Sequence, residues 1–402
     1  MKRVSISVTC KRLLALAFVL GLGALGTPRT QAQTFSVIYN FGDGTDGGWP
    51  LAGLVIDASG NLYGTANIGG TSQFGVVFKM TESGQETVLY NFAGGTDGAN
   101  PEASLLMDST GNLYSTTYAG GAYGVGTVFK VTASGQETVL YSFAGGAADG
   151  ANPEASLIMD EAGNFYGTTY GGGEYGAGTV FRLSKTGKET VLYSFGSGTD
   201  GANPVAGVTR DAKGYLYGTT SAGGTSGYGT VFQLIPVVAT GSKYGKENIL
   251  HNFTHQDDGD VPYAGLIIDK AGNLYGAATG GGVNSGGTVF ELTPSASSWN
   301  FNVLYSLPGW DISGAFQNVF LDSSGNIWGT THCDGTYQAG TVYELTNSGG
   351  SWNYIPMYVF TGSTDGLFSY SNLVFDQQGN LYGTTARGGN HYGYGVVFKI
   401  TP

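Results

Sequence analysis

A seven-bladed β-propeller is the fold that this chain of 402 residues predicts. Three observations predict it. Glycine supplies 71 residues, where an ordinary domain has roughly 7%. Aromatic residues make up 13% of the chain and charged residues only 11%. One four-residue signature returns seven times, each time among four short apolar runs. Glycine at this density argues against helices, since each helix-interior Gly costs roughly 1 kcal/mol relative to Ala. Many aromatics with few charges argue against disorder. With 11 prolines and no Gly-X-Y period, collagen is excluded as well.

The first segment reads as an address. Lys2, Arg3, Lys11 and Arg12 precede the apolar run 13–25, and a small residue, Ala32, follows. A basic start, a short apolar core and a small residue at the cut describe a secretory signal peptide over residues 1–32. The run is shorter than the roughly 20 residues of a membrane span. The expectation is therefore an exported protein, extracellular or periplasmic, with no transmembrane segment and a single domain over 33–402. Cleavage would remove Lys2, Arg3, Lys11, Arg12 and Arg29, leaving 12 basic against 29 acidic side chains, a formal charge of −17. So acidic a surface repels phosphate backbones, and no nucleic acid is expected as partner. Cys333 alone would remain, so no intrachain disulfide is expected. A monomer is expected.

The repeats come next. Gly60-Asn61-Leu62-Tyr63 recurs at Gly111, Gly163, Gly214, Gly272, Gly325 and Gly379, at intervals of 51 to 58 residues. Each copy carries a short apolar run ending in Asp (strand A; Asp57, Asp108, Asp160, Asp211, Asp269, Asp322, Asp376). The signature itself follows (strand B), then a Thr-Val-Phe-like run (strand C; Thr127-Val128-Phe129). Last comes a Val-Leu-Tyr-like run (strand D; Val88-Leu89-Tyr90). Runs this short, bounded by Gly, Asn, Asp and Ser, read as strands, and four per unit make a propeller blade. The chain starts with a D-type run (35–41) and ends with a C-type run (396–400). The N-terminal strand must then complete the seventh blade, which closes the ring and removes two free edges. The Asp and Gly after each A strand read as turn formers.

The units Leu-Tyr-Gly-Thr-Thr, Gly-Thr-Val-Phe-Lys, Glu-Thr-Val-Leu-Tyr-Ser-Phe and Asp-Gly-Ala-Asn-Pro are clearest over 113–149 and 165–200. They resemble the Gloeo/Verruco (GloVer) tandem-repeat family of exported bacterial proteins. The resemblance covers nearly all of the chain after residue 32 and implies no defined activity. A looser likeness to kelch repeats rests on the double Gly after strand B and a following strand ending in an aromatic.

In a propeller the D–A and B–C loops share one face. Here they carry Asn100, Glu102, Asn152, Glu154 and Asn203 from D–A loops, and Tyr118, Tyr123, Tyr170 and Tyr175 from B–C loops. Aromatic platforms with amides and carboxylates suit sugars, which have apolar ring faces and many hydroxyls. These nine residues are the predicted ligand contacts, for an extracellular glycan or a protein. The bland alternative is that Asp-Gly and Asn-Pro only form turns and the tyrosines pack over glycine. Asp257, Asp258 and Asp260 are closely spaced oxygen ligands for a possible calcium ion, without the distal Glu of a helix–loop–helix site. No other cofactor is expected. His332, Cys333 and Asp334 in blade six and His391 in blade seven could converge on a transition metal. That would make a kelch-oxidase-like enzyme the alternative class, with a carbohydrate-active enzyme beside it. No Gly-x-Ser-x-Gly, His-Glu-x-x-His or phosphate loop occurs. Glu102 and Glu154 stand a blade apart, too far to pair as acid and base. The expected function is recognition without catalysis.

Overall fold

Short extended runs between glycine turns can bury their side chains only by stacking sheets face to face, and this is how the chain folds. The computed structural model describes residues 33–401 apart from 43, 197–198, 237–243, 297, 310–313 and 391–392. The signal peptide expected over 1–32 lies outside the described residues, as does His391. Seven antiparallel sheets of four strands form the ring of a β-propeller. Blade 1 comprises strands A to D at Val55–Ile56, Leu62–Ala66, Val76–Met80 and Glu86–Asn91. Blades 2 to 6 repeat this order. Blade 7 takes A, B and C from Val374–Phe375, Leu381–Thr385 and Val396–Thr401, and D from Thr34–Asn40 at the other end of the chain. Thr34 pairs with Thr401 and Asn40 with Val396, which is the expected closure.

The core lies between the blades. Seven apolar clusters each join two neighbours; one holds Tyr63, Val77 and Phe92 of blade 1 against Leu105, Leu113 and Phe129 of blade 2. In this seam Phe92 meets Phe129 edge to face at 5.1 Å, and the same pair recurs as Phe41–Phe78, Phe143–Phe181, Phe195–Phe232 and Phe360–Phe398. Gly64 on strand B makes room for such a ring, because a Cβ there would sit 2.6 Å from Phe78.

The A strands are shorter than the apolar runs suggested, with two residues in every blade. Their inner backbone is held by side chains instead of a long ladder. Thr65 Oγ1 donates to Ala103 O (3.1 Å), Thr116 to Ala155 O (3.2 Å), Thr168 to Ala206 O (2.8 Å) and Thr219 to Ala264 O (2.8 Å). Thr330 and Thr384 staple blade 6 to Ser371 and blade 7 to Ala52 in the same way. Near the axis Gly53 N donates to Ser104 Oγ, Ser104 N to Ser156 Oγ, Gly265 N to Asn318 Oδ1 and Asn318 N to Asn372 Oδ1. Equivalent positions four residues before the turn Asp thus form a collar. At each A–B turn the Asp accepts backbone N–H groups and the polar tip of the strand-B aromatic, as Asp57 does from Ser59, Asn61 and the Tyr63 hydroxyl and Asp322 from the Trp328 indole N–H.

Candidate functional site

The D–A and B–C loops of each blade bind each other. Ala99 bridges to Ala119, Gly150–Ala151 pairs with Gly171–Gly172, and Gly201–Ala202 pairs with Ala222–Gly223. Gly172, at φ 77°, is obligatory there, since a Cβ would fall 2.5 Å from Asp149 O. The loop Asp is fixed by strand D: Tyr39, Tyr90, Tyr141, Tyr193 and Tyr358 donate to Asp46, Asp97, Asp149, Asp200 and Asp365 at 2.8–3.1 Å. The face is therefore a braced platform.

The sequence-predicted contacts separate into three groups on it. Asn100, Asn152 and Asn203 adopt φ of 54–57°, and their amide nitrogens donate to Asn67 O, Tyr118 O and Tyr170 O of the preceding blade (3.0–3.1 Å). Their donors hold seams. Tyr123 and Tyr175 stand at the tips of the B–C loops, 65% and 52% exposed, in a crown with Tyr337 and Val283. Tyr118, Tyr170, Glu102 and Glu154 lie further in; Tyr118 and both glutamates are half-buried.

Here the structure adds residues that the sequence reading passed over. The position of Glu102 and Glu154, five residues after the loop Asp, holds Leu51, Val205, Tyr263 and Tyr370 in other blades. The position of Tyr118 and Tyr170, directly after the second Thr of strand B, holds His332 in blade 6. Tyr263 packs on Phe316 (5.2 Å), Phe316 on Tyr370 (5.1 Å) and on His332 (4.9 Å), and His332 stacks on Phe368 (4.4 Å). The Tyr370 hydroxyl lies 3.3 Å from His332 Nε2. Across the mouth, burial raises the Tyr263 pKa to about 12, and the nearby Glu154 charge and Tyr170 add to it. Burial lowers the His332 pKa to about 3, so its imidazole is neutral at pH 7. The Arg387 guanidinium carbon lies over the Trp49 ring, 3.9 Å from its centre. Its charge reaches Tyr370, opposing the upward push that burial gives that phenol. Among the described residues, Arg387 is the one Lys or Arg side chain in these loops. One rim thus offers aromatic faces and a guanidinium, the other two carboxylates.

Among the described residues the candidate metal ligands do not gather. Asp257 is exposed; Asp258 faces His251 (3.0 Å) and accepts from Thr254; Asp260 is buried against His255. His332 turns into the aromatic cluster, whereas Asp334 accepts from Thr331 and from Tyr354 (3.3 Å). Among the described residues no three His, Cys, Asp or Glu side chains are grouped to hold a metal ion. Among the described residues no helix is long and apolar enough to cross a membrane.

The model of the Gloeobacter/Verrucomicrobia repeat matches residues 21–232 and 210–402. The chain belongs to this repeat family. No curated protein matches the chain in sequence. Among solved structures, it is similar to the extracellular domain of a protein described as a one component system from B. thetaiotaomicron. That match has 11% identity and a TM-score of 0.58, covering 90% of this chain and 39% of that one. The chain thus spans about two fifths of that structure. It is also similar to a protein described as a 6-phosphogluconolactonase from Bacteroides uniformis, at 14% identity and a TM-score of 0.50, covering 80% and 88% of the two chains. At such identities the shared property is the propeller fold.

Proposed function

We propose that this member of the repeat family is an exported recognition propeller that binds a glycan in the mouth of the D–A/B–C face, without catalysis. The observation that carries the reading is the cluster of Tyr263, Phe316, Tyr370 and Phe368 opposite Glu102 and Glu154. Aromatic faces stack on the C–H faces of a sugar, while carboxylates and the Arg387 guanidinium accept and donate to its hydroxyls. The basic, apolar and small-residue pattern over 1–32 supports export. An extracellular domain among the structural neighbours is in keeping with it. A protein partner is the second reading, favoured by the exposed crown of Tyr123, Tyr175, Val283 and Tyr337.

The test is calorimetric titration of residues 33–402 with a panel of neutral and acidic oligosaccharides. One class is expected to bind, with affinity falling at least tenfold in Tyr263→Ala and in Tyr370→Ala and unchanged in Tyr123→Ala. Thermal melts check that each variant stays folded. Binding lost in Tyr123→Ala alone would move the site to the crown. Binding that survives both mouth variants, or no binding by any sugar, would overturn the glycan reading.

A further inference from the structure

One position distinguishes the seven seams. Four residues before the Tyr or His of strand D stand Glu86, Glu137, Glu189 and Glu247 in blades 1 to 4, but Phe301, Tyr354 and Phe35 in blades 5 to 7. Each faces strand D of the preceding blade. The aromatic ones stack there: Phe301 on His251 (3.7 Å, 5° between planes), Tyr354 on Tyr305 (5.4 Å, 11°) and Phe35 on Tyr358 (3.6 Å, 6°). The glutamates meet a tyrosine that already donates to an aspartate. Glu86 faces Tyr39 and Asp46, Glu137 faces Tyr90 and Asp97, Glu189 faces Tyr141 and Asp149, and Glu247 faces Tyr193 and Asp200. All four glutamates are half-buried, and in all four Oε1 is shut off from water with no hydrogen-bond partner among the described residues. Glu247 also hydrogen-bonds Asp200, and the Tyr193 hydroxyl lies 3.4 Å from its Oε2. The other titratable groups close by are Tyr123, which faces Tyr141, and Glu174 and Tyr175, which line the groove over Tyr193 and Asp200. No Lys, Arg or His forms an ion pair with these four glutamates or their aspartates among the described residues.

Two carboxyl groups meeting in a half-dry seam, with no cation between them, cannot both ionise at low cost. We propose that the four contiguous seams from blade 7 to blade 4 form a pH-responsive arc. A proton held in each seam keeps the blades closed, and its loss loosens this arc while the three aromatic seams stay shut. Burial first, and the facing aspartate second, push Glu86 and Glu137 up to about 7 and Glu189 and Glu247 up to about 8. The sign follows from linkage. A carboxyl whose folded pKa is raised stabilises the fold fully below its unfolded pKa, near 4.5, and that stabilisation is lost as pH rises through 7 to 8. The four sites add, so folding takes up as many as about four protons near pH 6, and fewer as each site passes its folded pKa.

The experiment is thermal unfolding of residues 33–402 from pH 5.5 to 9 at constant ionic strength, beside the variant Glu86→Gln/Glu137→Gln/Glu189→Gln/Glu247→Gln. Glutamine copies the shape of the protonated acid and cannot titrate. The wild-type midpoint is expected to fall most steeply between pH 5.5 and 7 and to level off by pH 8.5, and the variant's to stay level throughout. If the fourfold variant does not fold, each single Gln variant is expected to remove about a quarter of the wild-type slope near pH 6, where each site binds close to one extra proton. Amide exchange at pH 6 and 8.5, corrected for intrinsic rates, locates the effect. Strands Glu86–Asn91, Glu137–Ser142 and Glu189–Ser194 are expected to lose protection, and Trp299–Pro308 and Ser351–Val359 to keep it. A level wild-type profile, an equal slope in the Gln variants, or equal loosening of all seven seams would overturn the proposal.

Discussion

The turn aspartates show how one side chain fixes a local shape. Asp108 accepts from Thr110 N and Oγ1, Asn112 N and Nδ2, and the Tyr114 hydroxyl, all within 2.8–3.0 Å. Partial burial pushes its pKa up, but the hydrogen bonds from Asn112 and Thr110 outweigh it and hold the carboxyl well below its ordinary value. Asp108→Ala is expected to destabilise the protein by about 1–2 kcal/mol in urea denaturation, the lower part of the range for charged acceptors because the site is wet. A depressed carboxyl contributes stability above its unfolded pKa of about 4 and loses it as pH falls. The Asp108→Ala effect should accordingly shrink below pH 4. These turn roles were legible, since Asp-x-x-Gly-Asn after an apolar run has one economical reading. The mouth was not. Tyr263, Phe316 and Tyr370 are irregular substitutions at a position elsewhere held by Leu51, Glu102, Glu154 or Val205. A reading drawn to what repeats passes over what departs from it. Comparing the repeats position by position would have exposed the aromatic column.

At the scale of the strand, the Gly-Thr-Thr that ends most B strands has separate tasks for its threonines. The first reaches across a seam; the second, as in Thr169 to Thr179 (2.8 Å), ties strand B to strand C. Thr168 is buried, so Thr168→Val would leave Ala206 O without its donor at nearly unchanged volume. The expected cost is roughly 1–3 kcal/mol, read as a lowered urea midpoint with unchanged slope. Threonine's β-propensity accounts for its presence in a strand but not for the seam bond, which only the ring geometry reveals. The same gap explains the A strands. Their apolar runs predict strands, yet the backbone before each pair of ladder residues is committed to threonine and collar contacts, which no local pattern encodes.

For the molecule as a whole, the closure was legible in the order of the runs, with a D run ahead of the first A run and a C run after the last B run, and these two pair. Removing residues 33–42 would strip blade 7 of its outer strand and expose the edge of Val396–Thr401. It would also delete Phe41, buried against Phe78. Such a truncated chain is expected to aggregate or lose its cooperative melt, seen by size-exclusion chromatography and calorimetry. The seam has a further consequence for assembly order. The first strand of the ring pairs with its last, so the ring cannot close until all seven blades have been made. The loop entropy it must overcome is the largest this chain can present, on the order of 5 kcal/mol. Since Thr34 sits opposite Thr401, a short turn joining these two would convert the clasp into one more hairpin. The ends could then be reopened at any other C–D turn. The starting point of the chain is thus a choice of genetics rather than of geometry, and moving it would change how fast the ring closes more than what it becomes.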